Sequence, residues 1–139
     1  VYGSVELYRA TEKHGLKPII GATLPLLHAG ETYPLVLLCS SRRGYKNLNE
    51  LVTLAKSHDG SVTLPTLEAH CDDLHVLTGG RKGFPTQLLQ NGKVREAQHL
   101  LDTLKGIFRS KLWVQLYFDN YRDDRARMRL LRDFAREGR

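Results

Sequence analysis

Gly15-Leu16-Lys17-Pro18-Ile19-Ile20-Gly21-Ala22-Thr23-Leu24 reads as a helix stop, a turn and the start of an apolar strand. Gly15 suits a helix C-terminus, where the chain often turns left-handed and a Cβ is a burden. Pro18 has no N–H to continue a helix, and Ile19-Ile20 is a β-branched run suited to a strand buried on both faces. The strand is expected over Lys17 to Leu24. Gly21 allows backbone or a ligand to approach closely. In α/β proteins chemistry gathers at the far ends of such strands. Ala22-Thr23, which stands there, supplies neither a strong metal ligand nor a general base.

Upstream, Tyr2 to His14 reads as a helix. Val5, Tyr8 and Leu7 form its apolar stripe, with Glu6, Arg9, Glu12 and Lys13 opposite. Downstream, His28-Ala29-Gly30-Glu31 is a turn-like excursion, and Pro34 opens a second buried strand, Leu35 to Cys39. Ser40-Ser41-Arg42-Arg43-Gly44-Tyr45 leads into a helix with Leu48, Leu51, Val52 and Ala55 inward, and either serine suits its N-cap. Asp59-Gly60 ends that helix. Ser61 to Ala69 is a loop with one helical turn after Pro65. A third strand, Leu74 to Thr78, runs into Gly79-Gly80-Arg81-Lys82-Gly83, followed by a short helical segment that stops at Asn91-Gly92.

The clearest helix is Lys93 to Arg109, where Val94, Ala97, Leu101, Leu104 and Phe108 recur at steps of three and four. A fourth strand, Leu112 to Phe118, follows directly. A last helix, Asp123 to Glu137, sets Ala126, Leu130, Leu131, Phe134 and Ala135 on one side. Strands and helices alternate, without an internal repeat. That order predicts an α/β fold of parallel strands joined by right-handed crossovers, in a barrel or an open sheet.

The 139 residues suit one domain, and 41% hydrophobic content is enough for a core. Val1 is not an initiator methionine and the first residues already read as mid-helix, so the chain is expected to be a piece of something longer. No apolar run reaches the roughly 18 residues needed to cross a bilayer, and no signal peptide is recognisable. Cys39 and Cys71 lie far apart and read as reduced cytosolic thiols. A net charge of +6 and a pI near 9.5 suit a polyanionic partner. About half of that excess lies in Arg122 to Arg139, which equally suits a solvated helix face.

His70-Cys71-Asp72-Asp73-Leu74-His75 invites a metal reading. Neighbours on an extended chain point to opposite faces, however, so these side chains cannot converge, and no second cluster supplies further ligands. His14, His28, His58 and His99 stand alone. There is no nucleophile elbow, no paired carboxylates at a strand end and no phosphate-binding P-loop. Two basic turns remain, Ser40 to Gly44 and Gly79 to Gly83, each after a strand and before a helix. On parallel strands both would lie on one rim. Arg42, Arg43, Lys46, Arg81 and Lys82 are therefore the candidates for contact with phosphate, DNA or a neighbouring acidic domain, beside free N–H groups at helix starts. The alternative is a pair of solvated turns whose glycines serve geometry alone.

The same residues carry a family resemblance. Tyr2-Gly3-Ser4-Val5-Glu6-Leu7-Tyr8 followed by Gly15-Leu16-Lys17-Pro18-Ile19-Ile20-Gly21-Ala22 resembles the second part of a PHP (polymerase and histidinol phosphatase) domain, as found in bacterial C-family DNA polymerases. Pro34-Leu35-Val36-Leu37-Leu38, then Arg43-Gly44-Tyr45-Lys46-Asn47-Leu48, is similar to the family's next strand and helix start. Leu77-Thr78-Gly79-Gly80 is similar to its Leu-Ser-Gly-Gly segment. The likeness covers nearly the whole chain, with the motifs in family order.

The resemblance implies a fragment of a PHP-type, TIM-like barrel, with residues 1–139 as the middle part of one PHP domain. The family's opening His-x-His would precede Val1, and its closing Asp-x-His would follow Arg139. Metal-binding members carry an acidic residue where Thr23 stands, a His about where Pro34 stands and often a Cys where Gly80 stands. With all three absent, the chain resembles members whose PHP domain is non-catalytic, and Gly21-Ala22-Thr23-Leu24 is similar to the error-prone homologues. The implied function is a structural and interaction module of a cytoplasmic DNA polymerase III alpha subunit, replicative or error-prone. The fragment itself would be inactive, with no metal or other cofactor of its own. The parent nucleotidyltransferase would use magnesium, with its catalytic carboxylates elsewhere. Implied partners are the rest of the polymerase chain and, through it, DNA; no membrane is involved, and exposed strand edges would let the isolated piece self-associate. The rivals are a metal-dependent PHP phosphoesterase or proofreading exonuclease, and an unrelated basic nucleic-acid-binding module.

Overall fold

The computed structural model describes residues 3–117 and 124–137. Tyr2, Phe118 and Asp123, expected at the ends of elements, lie outside the described residues. Helix α1 is Ser4–Lys13, and strands β1 (Gly21–His28) and β2 (Glu31–Cys39) follow. Ala29 and Gly30 join these strands with φ of 50° and 81°, the paired left-handed values of a tight hairpin turn. A two-residue link can join only antiparallel strands. Pairing runs from Gly21 opposite Leu38 to His28 opposite Glu31. What reads as an excursion between two parallel strands is therefore a hairpin.

Ser41 caps α2 (Arg42–Ser57), its Oγ accepting from Gly44 N at 3.2 Å. Helix α3 (Leu64–Ala69) then leads to β3 (Leu74–Leu77). The returning chain runs back along α2. Asn47 Nδ2 donates to Asp72 O at 2.9 Å, and His70 Nε2 lies 3.4 Å from Glu50. It thus re-enters the sheet at the end that α2 left, with Leu74 beside Cys39, and β3 is antiparallel to β2. A 3₁₀ turn (Gly80–Lys82), α4 (Phe84–Gln90) and α5 (Val94–Phe108) carry the chain to β4 (Leu112–Trp113), which is parallel to β3. Helix α6 (Asp124–Glu137) is the last element. The fold is mixed α/β, with sheet order β1-β2-β3-β4. The expectation of a wholly parallel sheet is overturned; among the described residues β3 and β4 are the only neighbouring strands paired in parallel, beside an isolated parallel bridge between Leu26 and Val62.

The sheet is covered on one face. Leu24 and Leu26, Tyr33, Leu35 and Leu37, and Leu74 and Val76 alternate inward and are buried. Against them pack Leu48 and Leu51 of α2, Phe84 and Leu88 of α4, and Leu100, Leu104 and Phe108 of α5. Their neighbours in sequence are half-buried or exposed. This one-sided burial explains why the strand expected at Ile19-Ile20 is not one. Cys39 N donates to Ile20 O at 2.8 Å, but β2 ends there, and Ile19 is 71% exposed. Gly21 fits the close approach expected of it, since a Cβ would collide with Leu37 O.

Other registers also shift. The α1 stripe of Val5, Leu7 and Tyr8 is exposed, and α1 is tied down instead by Ser4 Oγ, 2.9 Å from Tyr45 Oη. Val94 is exposed, whereas Leu100 belongs to the core. In α6, Leu131 and Phe134 point inward but Ala126 and Leu130 do not, because the inward stripe runs through Asp124. Beyond Trp113 the fourth strand loses its ladder, although Gln115 N still donates to Thr78 Oγ1 at 3.0 Å.

Candidate functional site

The turn after β2 is built around Asp73. This residue holds a left-handed backbone, φ 57°, which Asp tolerates better than most side chains. Its Oδ2 accepts from Ser41 Oγ at 2.7 Å and from Arg43 Nε at 3.0 Å, and Lys111 Nζ lies 3.5 Å from Oδ1. Arg43 Nη1 is also 3.5 Å from Asp72. The Arg43 hydrogen bond, then that from Ser41, holds the Asp73 carboxyl well below the usual carboxylate range. The same bond keeps Arg43 more firmly protonated. Lys46 lies 3.8 Å from Glu50 one helical turn on. Arg42 has no ion partner among the described residues. It edges an open cavity of about 1050 Å³ whose lining includes Tyr8, Lys17, Ile20, Leu38 and Tyr45.

The turn after β3 is a different structure. Gly79 sits against Pro34 O with no space for a side chain, and Thr86 Oγ1 donates to Gly80 O at 2.9 Å. Arg81 reaches over the Tyr117 ring, 5.4 Å from its centroid, and donates through Nη2 to Asp124 Oδ1 at 3.2 Å. Arg127 Nη1 donates to the same oxygen at 2.9 Å. Asp124 is fully buried, so these guanidiniums neutralise a carboxylate that could not otherwise stay inside as an ion. Lys82 is exposed without an ion partner among the described residues.

The two basic turns therefore do not share a rim. Because β3 is antiparallel to β2, one turn leaves the sheet beside Asp73 and the other leaves beside Pro34, at the opposite end of β3. Arg42, Arg43 and Lys46 fall in the first group, Arg81 and Lys82 in the second. Asp73, Asp124 and Arg127 are participants that sequence reasoning missed. The available signal was Asp72-Asp73 ahead of a strand, a local pattern that could have marked a left-handed turn rather than a ligand pair.

Thr23, Pro34 and Gly80 also sit differently from expectation. Thr23 and Pro34 are not at strand ends but within β1 and β2. Thr23 pairs with Val36 and Pro25 with Pro34, so Thr23 and Pro34 are diagonal neighbours on the uncovered face. Thr23 and Pro34 lie together, with Gly80 one residue beyond the Gly79 that packs on Pro34 and itself facing Gln115, and a neutral hydroxyl, a proline ring and a glycine are poor donors for a divalent cation. No group of three or more His, Cys, Asp or Glu side chains among the described residues is arranged to hold a metal. In the His70 to His75 stretch, His70 turns to Glu50 and His75 Nδ1 accepts from Trp113 Nε1 at 3.3 Å. Cys39 and Cys71 are separate half-buried thiols, and burial pushes the Cys39 thiol up.

The fold defines a mixed α/β domain whose sheet is covered on one face. The family model described as PHP domain matches residues 1–117. The chain belongs to the PHP domain family. It is 31% identical, over 78% of its length, to the DNA polymerase III subunit alpha of Bacillus subtilis (strain 168), of which it covers 10%. It is 30% identical, over 97% of its length, to the error-prone DNA polymerase of Symbiobacterium thermophilum, covering 14% of that protein. To the DNA polymerase III subunit alpha of Caulobacter vibrioides it is 28% identical over 84% of its length, covering 11%. The chain thus spans 10% to 14% of the length of these curated relatives.

Proposed function

We propose that this chain is the middle part of a PHP domain within a bacterial DNA polymerase of the alpha-subunit or error-prone type, and that it serves there as a non-catalytic structural and interaction module. The observation that carries this reading is the pairing of Thr23 and Pro34 on the uncovered sheet face, with Gly80 in the turn that packs on Pro34 through Gly79, at positions where a metal-dependent member would carry ligating side chains. Several converging ligands are needed before a divalent cation can polarise a phosphoryl oxygen or activate water. In the parent the sheet would form part of a TIM-like barrel, and the uncovered face would meet further elements of the same chain. DNA synthesis, its magnesium and a cytoplasmic location belong to the parent on this reading. Among the described residues no helix is long and apolar enough to cross a membrane.

The test is metal content and hydrolysis. The purified chain, incubated with manganese or zinc and then desalted, should retain no stoichiometric metal and should not hydrolyse a phosphodiester with manganese added. Near-stoichiometric metal, or hydrolysis lost on His75→Ala, would replace this reading with the phosphoesterase.

A further inference from the structure

Arg125, Arg129, Arg132 and Arg136 recur along α6 at steps of four, three and four, so they share one helix face, and all four are exposed. The helix is anchored from the other side by Asp124, Leu131 and Phe134, which are buried. At 1.5 Å per residue the row is about 16 Å long. Arg132 is 3.0 Å from Asp133 in an exposed pair, while Arg125, Arg129 and Arg136 have no acidic partner among the described residues. Asp124 cannot offset the row, because it is buried beneath the helix and held by Arg81 and Arg127. Like charges at these spacings destabilise a helix, and a face serving only solubility would mix its signs.

We propose that this row is a docking surface for the phosphodiester backbone of duplex nucleic acid. The planar guanidinium fork matches phosphate oxygens and stays charged at any physiological pH. A duplex carries one negative charge per roughly 1.7 Å of axis, so it presents phosphates along the whole row without a special register. An acidic protein segment would have to supply carboxylates at matching intervals. The inference rests on the charge geometry of α6 and not on the identity of a parent enzyme. Its residues are separate from Arg42, Arg43, Lys46, Arg81 and Lys82.

The experiment is fluorescence anisotropy of a labelled random-sequence DNA duplex with the 139-residue chain across a salt titration. Each phosphate contact contributes about 0.9 to the slope of log affinity against log salt. Replacing Arg125, Arg129, Arg132 and Arg136 together by Gln, which keeps helix propensity, should lower that slope by about 3–4. Replacing them by Lys should preserve it. A charge-matched control with Arg9, Lys13, Lys56 and Arg95 changed to Gln should move it by less than about one. An unchanged slope in the Gln variant, an equal fall in the control, or a preference of the wild-type chain for poly-glutamate over the duplex would each overturn the proposal. Circular dichroism checks that α6 survives. If it does not, the single variant Arg129→Glu decides: a slope lowered by about one or more supports the surface, and an unchanged slope overturns it.

Discussion

Asp73 takes hydrogen bonds from Ser41 and Arg43 and faces Lys111, so one carboxylate ties the start of α2 to the entry of β3 and to the turn before β4. Its folded-state pKa is depressed, first by Arg43 and then by Ser41. A depressed carboxylate adds stability at pH values above its unfolded pKa, about 3.9, and loses that contribution as pH falls through the folded value. Asp73→Asn keeps the left-handed backbone accessible while removing the charge. The variant is expected to unfold at lower urea than the wild-type chain at pH 7, and the gap should narrow below about pH 4. A gap independent of pH would mean that the charge is not what matters. At this scale the sequence exposed the candidate cations but not their partners. Arg43 and Arg81 are already matched to carboxylates that lie 30 and 43 residues away.

The β1–β2 hairpin shows how an element depends on its link. Ala29 holds φ 50°, a conformation costing an ordinary L-residue roughly 1–2 kcal/mol, whereas Asn-Gly is a preferred pair for such a turn. Ala29→Asn is therefore expected to stabilise the chain by about 0.5–1 kcal/mol in urea unfolding, and a destabilised variant would refute the turn assignment. In α5 the periodicity was legible and mostly right. Leu104 is fully buried, so Leu104→Ala should cost about 2–5 kcal/mol. Val94, at the same helix's exposed start, should tolerate alanine within about 0.5 kcal/mol by the same measurement. The periodic signal cannot tell an end residue that overhangs the core from one above it.

Across the whole molecule, polar and apolar groups are left without cover. Along β1, Leu27 N and Pro25 O face outward and pair with Val62, so by alternation Gly21 and Thr23 turn their N–H and C=O groups to the same free edge. Val5, Leu7, Tyr8 and Ile19 are exposed apolar side chains of α1 and of the segment leading into β1. Such an edge and such a surface favour pairing with another chain. The isolated chain is expected to show concentration-dependent mass in sedimentation equilibrium, reduced by the double variant Val5→Glu, Ile19→Glu. A strictly monomeric wild-type chain across the micromolar range would contradict this.

The kinds of element, their approximate bounds, most of the inward residues and the family were legible in the sequence. Each of those depends on local spacing: apolar steps of two or of three and four, a serine before a helix, glycine where a helix stops. Strand direction was not legible, because it depends on where the connecting chain comes back. Asn47 on Asp72, Glu50 beside His70 and Ser40 N donating to Asp73 O bring that return to the end where β2 stops. Those contacts decided that β3 runs against β2 and that the two basic turns part company. Contacts between residues so far apart in sequence leave no periodic trace in it, which is why only the tertiary structure could decide them.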